Sequence, residues 1–302
     1  MSFSQTVEDI RSLKIQGAIA IAKEAVKSLK DVVFSYKGES REDLIGLLLD
    51  AKDKLFESRP TEPCMRNTLN FVLYNSSGSS FAEYRQAILM NIQKALSEIS
   101  KANDTISEIG SHKIKDGMVV FTHCHSSTVV SILKKAKEQG KDFLVHNTET
   151  RPLFQGRKTA YELAKANIKV VHYTDNAGRL ALKKADIVLF GCDALTSEGK
   201  VINKIGSELF AEVAHCFNIP VYACTHSWKF DPLTIFGFEE IIEERAAAEV
   251  WPDAPPNVTV QNYAFEIVRS ELVSGVISEL GVYPSTILVE ELKKRNGWMF
   301  KR

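Results

Sequence analysis

The stretch GMVVFTHCHSSTVVSILKKAKEQG, residues 117–140, changes character in its middle. Its first part, GMVVFTHC, is a run of β-formers, which suits a strand. A small polar loop follows, and TVVSILKKAKEQG then reads as a helix. The same unit recurs downstream. DFLVHNT, IKVVHYTD, ADIVLFGCD, IPVYACT and VSGVISE are further β-rich runs, and KTAYELAKAN and GSELFAEVAHCFN are helix-like stretches among them. Strands alternating with helices predict an α/β domain with a parallel, doubly wound sheet.

Upstream the pattern is helical. In VEDIRSLKIQGAIAIAKEAVKSL, Ile10 and Leu13 are three apart, and Ala18, Ile21, Ala25 and Leu29 follow at helical steps, with a break at QGA. REDLIGLLLDAKDKLF and the long run from Ser80 to Ile114 repeat it. ESRPTEPC (57–64) and YNSSGSS (74–80) interrupt it with turn chemistry. We expect a helical N-terminal domain over 1–112 and a sheet domain over 113–302. The proline-bearing EERAAAEVWPDAPPNVTVQN, 243–262, reads as a loop or lid inserted before the last strand.

Bulk composition excludes several function classes. Lys and Arg number 38 and so do Asp and Glu, so no global field recruits nucleic acid or acidic lipid. The five cysteines follow no CxxC or finger spacing, which argues against a disulfide framework or structural zinc and for a reducing cytoplasm. No apolar run approaches a membrane span, and the N-terminus lacks the apolar core of a secretory signal.

Cys124 and Asp193 each fall just past the carboxyl end of an expected strand. Ligands of open parallel sheets bind along that edge. Gly191 would let a ligand approach the backbone there. Cys124 fits a nucleophile or base, and also a small buried strand-end cysteine. Ser126, Ser127 and Thr128 would cap the next helix, whose N-terminus lowers a thiol pKa and binds anions. His123 and His125 flank the thiol, but no third residue has metal-ligand spacing. Asp193 fits a general acid and equally a turn cap. Cys192, Cys216 and Cys224 read as packing residues, and DNAGR (175–179) as turn chemistry.

Cations gather at element ends. In VINKIGSELF, 201–210, Asn203 and Lys204 precede a helix start, an arrangement like a phosphate cradle without the glycines of a Walker loop. Arg151 in TETRPLFQG follows another strand, Arg59 lies in SRPTEP and Lys229 in HSWKFDP. Each alone fits a solvated surface charge. Together they fit a polyanionic small molecule.

THCHS, TETRPLFQG, GCDALTSEGKVINKIGS and HSWKFDP resemble the initiation factor 2B alpha/beta/delta-like family, over nearly the whole chain from IRSLKIQGA to GVYPSTILVEELKKRNGW. The resemblance implies a Rossmann-like C-terminal domain behind the helices. It is strongest to the archaeal-type ribose-1,5-bisphosphate isomerases. Methylthioribose-1-phosphate isomerase and a non-catalytic regulatory subunit of initiation factor 2B are the alternatives. The isomerase branch implies a phosphorylated sugar as substrate, giving ribulose 1,5-bisphosphate in AMP salvage, with no metal or redox cofactor. It also implies a homo-oligomer, dimer or hexamer. Cys124 and Asp193 would be the acid/base pair. Gln16, Gly17, Ala18, Arg59, Ser126, Arg151, Asn203, Lys204 and Lys229 would hold the substrate. Gln16 departs from the pattern, because the isomerases carry Arg before Gly-Ala.

Overall fold

The structure is a computed structural model and describes residues 2–300; residues 1, 301 and 302, the ends of the two expected domains, lie outside them. It divides into two compact units. The first holds residues 1–101, Trp228–Phe230 and Lys293–Arg302; the second holds Ala102–Ser227 and Asp231–Leu292. The division therefore falls eleven residues before the expected boundary, and two later segments return to the helical unit.

The helical unit is built from α1 (Phe3–Arg11), α2 (Ala18–Ser35), α3 (Arg41–Ser58), α4 (Pro63–Tyr74) and the first part of α5 (Phe81–Ser111). Ile21, Ala22, Ala25, Val26, Leu29 and Val33 of α2 are buried along one helical face. They pack with Leu44, Leu48 and Leu55 of α3, Met65, Leu69 and Val72 of α4, and Ile88, Ile92 and Ile99 of α5. Each turn-rich interruption ends a helix. Ser40 caps α3 by accepting the Asp43 amide at 3.2 Å, and Pro63 sits in the first turn of α4, where its missing N–H costs nothing. The expected break before α2 is present, with Gly17 at φ +89°. Trp228 closes this core. Its ring stands 5.0 Å from Phe71 and 5.4 Å from Trp298, and Asn67 donates to the carbonyls of Trp228 and Phe230.

The second unit carries β1 (Val119–Thr122), α6 (Ser127–Glu138), β2 (Leu144–Thr148), α7 (Gln155–Lys165), β3 (Lys169–Tyr173), α8 (Gly178–Leu182), β4 (Ile187–Phe190), β5 (Ala194–Leu195) and β6 (Val201–Lys204). These are followed by α9 (Ser207–Cys216), β7 (Val221–Cys224), β8 (Phe265–Val268), β9 (Gly275–Ser278), β10 (Gly281–Tyr283) and α10 (Ser285–Arg295), whose last residues count with the first unit. All six expected strands lie in one sheet, ordered β10-β9-β7-β4-β1-β2-β3, parallel except for the β9–β10 pair. The central strand β4 is buried along its length, as helices on both faces require, whereas the edge strand β3 is mostly exposed.

A second, antiparallel sheet, β5-β6-β8, is an addition to the expected architecture. Asn203 and Lys204 end one of its strands, just ahead of α9. Cys216 is also a correction. It is exposed, because the buried face of α9 runs through Ser207, Phe210, Ala211 and Ala214. Among the described residues no helix is long and apolar enough to cross a membrane.

Candidate active site

The strands after β1 run to one side of it, β2 then β3, and the later ones run to the other, β4, β7 and β9. The order therefore reverses between β1 and β4, which are direct neighbours with Val120 opposite Ile187. A crevice opens outside the carboxyl ends of two such strands. Cys124 follows the end of β1 by two residues and Asp193 follows the end of β4 by three. A side chain at Gly191 would force its neighbours apart: a Cβ there would stand 2.9 Å from Ser126 Cβ and 3.3 Å from Asn203 Oδ1. Glycine at this point lets the end of β4, the cap of α6 and the end of β6 converge. The Asp193 amide then donates to the Ile202 carbonyl at 2.8 Å, which places the half-buried carboxylate.

Cys124 is held in the left-handed region, φ +67°, a conformation that a non-glycine residue keeps only when its surroundings fix it. Its N–H donates to Thr150 Oγ1 at 2.9 Å, and its carbonyl accepts from Thr159 Oγ1 at 2.8 Å. Thr150 is itself left-handed. The Asp175 carboxylate, at 2.7–2.8 Å, accepts the amides of both Thr150 and Arg151. DNAGR is thus turn chemistry, as expected, and the turn anchors the loop that anchors the thiol.

Electrostatics correct one expectation. The helix start after Cys124 implies a lowered pKa. Instead burial pushes the thiol up to about 11, with the carboxylates of Asp193 and Asp175 adding to the rise. Lys204 and the His125 backbone amide pull the other way and do not prevail. The resting group is a thiol, because withdrawal from water penalises a thiolate more than one nearby cation repays. Burial also lowers both flanking histidines to about 4, so they are neutral near pH 7. The ring nitrogens of His123 face Thr148 and the Ile205 carbonyl, and His125 Nδ1 donates to Thr159 at 3.1 Å.

Ser126 caps α6, accepting the Val129 amide. Asn203 is buried and donates to Ser207 Oγ at 2.8 Å, which leaves its Oδ1 toward Gly191. Lys204 stands 4.8 Å above the Phe265 ring and is near enough to Cys124 to act on its thiol. Arg151 donates to the Val250 carbonyl at 3.1 Å, so the 243–262 segment meets the β2–α7 loop. Cys124, Ser126, Asp193, Asn203 and Lys204 thus share one sheet edge, and Arg151 lies on the neighbouring loop.

The expected phosphate cradle at α9 is a second correction. The first amides of that helix, at Gly206, Ser207 and Glu208, are taken by the Glu266 carboxylate, at 2.7 Å for Glu208. An acidic side chain from β8 already fills the place of an anion.

The remaining candidates belong to the helical unit. Gln16 is exposed and donates to the Leu13 carbonyl at 2.8 Å; Gly17 has open space where a Cβ would be, and Ala18 begins α2. Lys14 pairs with Asp9 at 3.3 Å, since the chain turns at Leu13. Arg59 is buried 3.8 Å from Glu62, and Lys229 is buried in a 3-10 turn. Reading the sequence missed Thr150, Thr159 and Glu266. Thr150 lies inside the quoted TETRPLFQG, whereas the other two carry no local signal.

The model of the Initiation factor 2 subunit family matches residues 14–285. The chain is 36% identical to the ribose 1,5-bisphosphate isomerase of Pyrococcus furiosus, over 98% of this chain and 95% of that one. It is 31% identical to the methylthioribose-1-phosphate isomerase of Symbiobacterium thermophilum, over 96% and 87%. The crystal structure of the Pyrococcus horikoshii translation initiation factor eIF-2B superposes with a TM-score of 0.84 at 26% identity, covering 95% of this chain and 98% of that one.

Proposed function

Since the chain belongs to the Initiation factor 2 subunit family, and its relatives include ribose 1,5-bisphosphate isomerases over nearly its full length, we propose that it converts ribose 1,5-bisphosphate to ribulose 1,5-bisphosphate. The observation that carries the reading is the placement of Cys124 and Asp193 beyond adjacent strands at the reversal of the sheet.

The phosphate on C1 blocks the free aldehyde from which ordinary aldose–ketose isomerisation starts. The ring must open with the phosphate in place. Protonated Asp193 donates to the ring oxygen as the C1–O bond breaks, and the Cys124 thiolate removes the C2 proton, leaving a C1=C2 enol. Cys124 then returns a proton to C1, while the C2 hydroxyl gives its proton to Asp193. Both groups end as they began. A thiol of pKa about 11 would need roughly 5 kcal/mol to ionise into water at pH 7. Transfer of its proton to the Asp193 carboxylate would supply the base and the acid together, and because a carboxylate is a weaker base than a thiolate, the contacts made by bound substrate must drive it. Lys204, Arg151 and the start of α6 would hold phosphate and Asn203 Oδ1 a sugar hydroxyl. A cytoplasmic homo-oligomer acting in nucleotide salvage is the setting that fits this reading.

The test is a coupled assay on ribose 1,5-bisphosphate beside methylthioribose 1-phosphate, run also in deuterium oxide. Turnover of the first, lost in Cys124→Ser and in Asp193→Asn, supports the reading. Preference for the second sugar moves the chain to the sister activity. Deuterium at C1 supports proton transfer, and its complete absence supports a hydride shift. No turnover on either sugar, together with a stable complex with initiation factor 2, would instead establish a regulatory subunit.

A further inference from the structure

His123 is buried, 2% exposed, directly before the thiol-bearing residue. Its ring joins three pieces of chain. Nε2 meets the Ile205 carbonyl at 2.8 Å, and a carbonyl only accepts, so Nε2 carries the hydrogen. Nδ1 is then an acceptor. It takes the Thr148 hydroxyl at 2.5 Å and lies 3.4 Å from Thr150 Oγ1, the oxygen that receives the Cys124 amide. Gly206, at φ +99°, admits the ring: a Cβ there would stand 3.1 Å from Nε2. Phe210 packs across the ring at 4.9 Å. Asp175 lies 4.0 Å from Nδ1, with both its oxygens committed to the amides of the Thr150 loop.

We propose that His123 is the positioning residue of the site: it ties the left-handed Cys124 turn to the end of β2 on one side and, through Ile205, to the end of β6, where Lys204 is the last residue, on the other. The proposal rests on the isomerase reading for its kinetic arm only. His123 touches neither the thiol nor Asp193 through any hydrogen bond. Its work is to hold the thiol over the crevice and Lys204 beside it. One donor and one acceptor in fixed places are what that requires. Glutamine supplies both and leucine supplies neither.

The experiment compares wild type, His123→Leu, His123→Gln and Thr150→Val. Two quantities are read on each: steady-state kinetics with ribose 1,5-bisphosphate, and the rate of iodoacetamide modification of Cys124 by peptide mass, with exposed Cys216 as internal reference. In His123→Leu kcat should fall about a hundredfold, the usual penalty for a misplaced catalytic group, while KM stays within about threefold. Cys124 alkylation relative to Cys216 should rise at least about fivefold as the turn loosens. His123→Gln should recover most of both, and Thr150→Val should move alkylation in the direction of His123→Leu. Unchanged alkylation in His123→Leu, or a glutamine variant as impaired as leucine, overturns the proposal. If His123→Leu does not fold, Thr150→Val decides: no rise in Cys124 alkylation there overturns it. Wild-type protein inert on the sugar refutes the isomerase reading and leaves the alkylation arm to judge His123.

Discussion

Gly191→Ala isolates the convergence on which the site depends. The new methyl carbon would lie 2.9 Å from Ser126 Cβ, 3.1 Å from its Oγ and 3.3 Å from Asn203 Oδ1. Carbon atoms rest in contact near 3.5–4.0 Å, so a separation of about 0.6–1 Å must be found. None of the three neighbours can easily give way. Ser126 Cβ is fixed to the cap of α6, and Asn203 is tethered to Ser207. The end of β4 must therefore draw back from α6, carrying Asp193 away from Cys124. Overpacking of this kind costs roughly 1–3 kcal/mol of stability, and a shift of about 1 Å between catalytic groups costs about a hundredfold in rate. Gly46→Ala is the control. It is in the interior of α3 with nothing within 4 Å of a Cβ, and alanine there should stabilise by about 0.5–1 kcal/mol. Thermal unfolding and kcat on both variants make the comparison. If Gly191→Ala keeps wild-type melting and wild-type kcat, close approach of the three loops is not what places the pair.

Alkylation of Cys124 in the free protein should accelerate about tenfold per pH unit through neutrality and level off only near pH 11, because the raised pKa leaves the thiol protonated below it; a plateau near pH 8 would refute the burial argument. Gln16→Arg should lower KM by about one to two decades with kcat nearly intact, the worth of one charge-assisted contact of about 1.5–3 kcal/mol; an unchanged or raised KM in a folded variant would show that the site has been rebuilt around glutamine. Glu266→Ala should cost about 1–3 kcal/mol on denaturant unfolding, since it strips the acceptor from the first amides of α9; no loss would mean water replaces the carboxylate at no cost.

Much of the architecture is written locally. A run such as ADIVLFGCD announces a strand and the small polar residues after it announce a loop, so the six parallel strands and the two chemical groups past β1 and β4 follow from the order of residues alone. What the sequence hides is everything decided by distant partners. β8 lies 61 residues beyond the strand it pairs with, Val201 against Val268 at one end of the register, after a proline-bearing segment that gives no sign of it. Glu266 reaches the start of α9 only through that pairing, so Asn203 and Lys204 read as an open anion cradle. The thiol pKa inverted for a similar reason. A helix start is visible in Ser126-Ser127-Thr128, but the burial that outweighs it is a property of the assembled loops.

The return of Trp228–Phe230 and of the chain's last residues to the helical unit bears on the order in which the protein is made. The first 101 residues leave the ribosome with Trp228 and Trp298 still to come. At about 5–20 residues per second, synthesis as far as Trp298 takes roughly 10–40 s. Phe71 waits through all of it for Trp298, and for Trp228 through the earlier part, in which Asn67 also waits for the two carbonyls it will bind. Folding from the N-terminus can assemble four helices early but cannot seal their core until Trp298 has been made. The half-finished surface is where a chaperone would find the nascent chain, and for the same reason the helical domain cannot be exchanged between relatives as one uninterrupted stretch of gene.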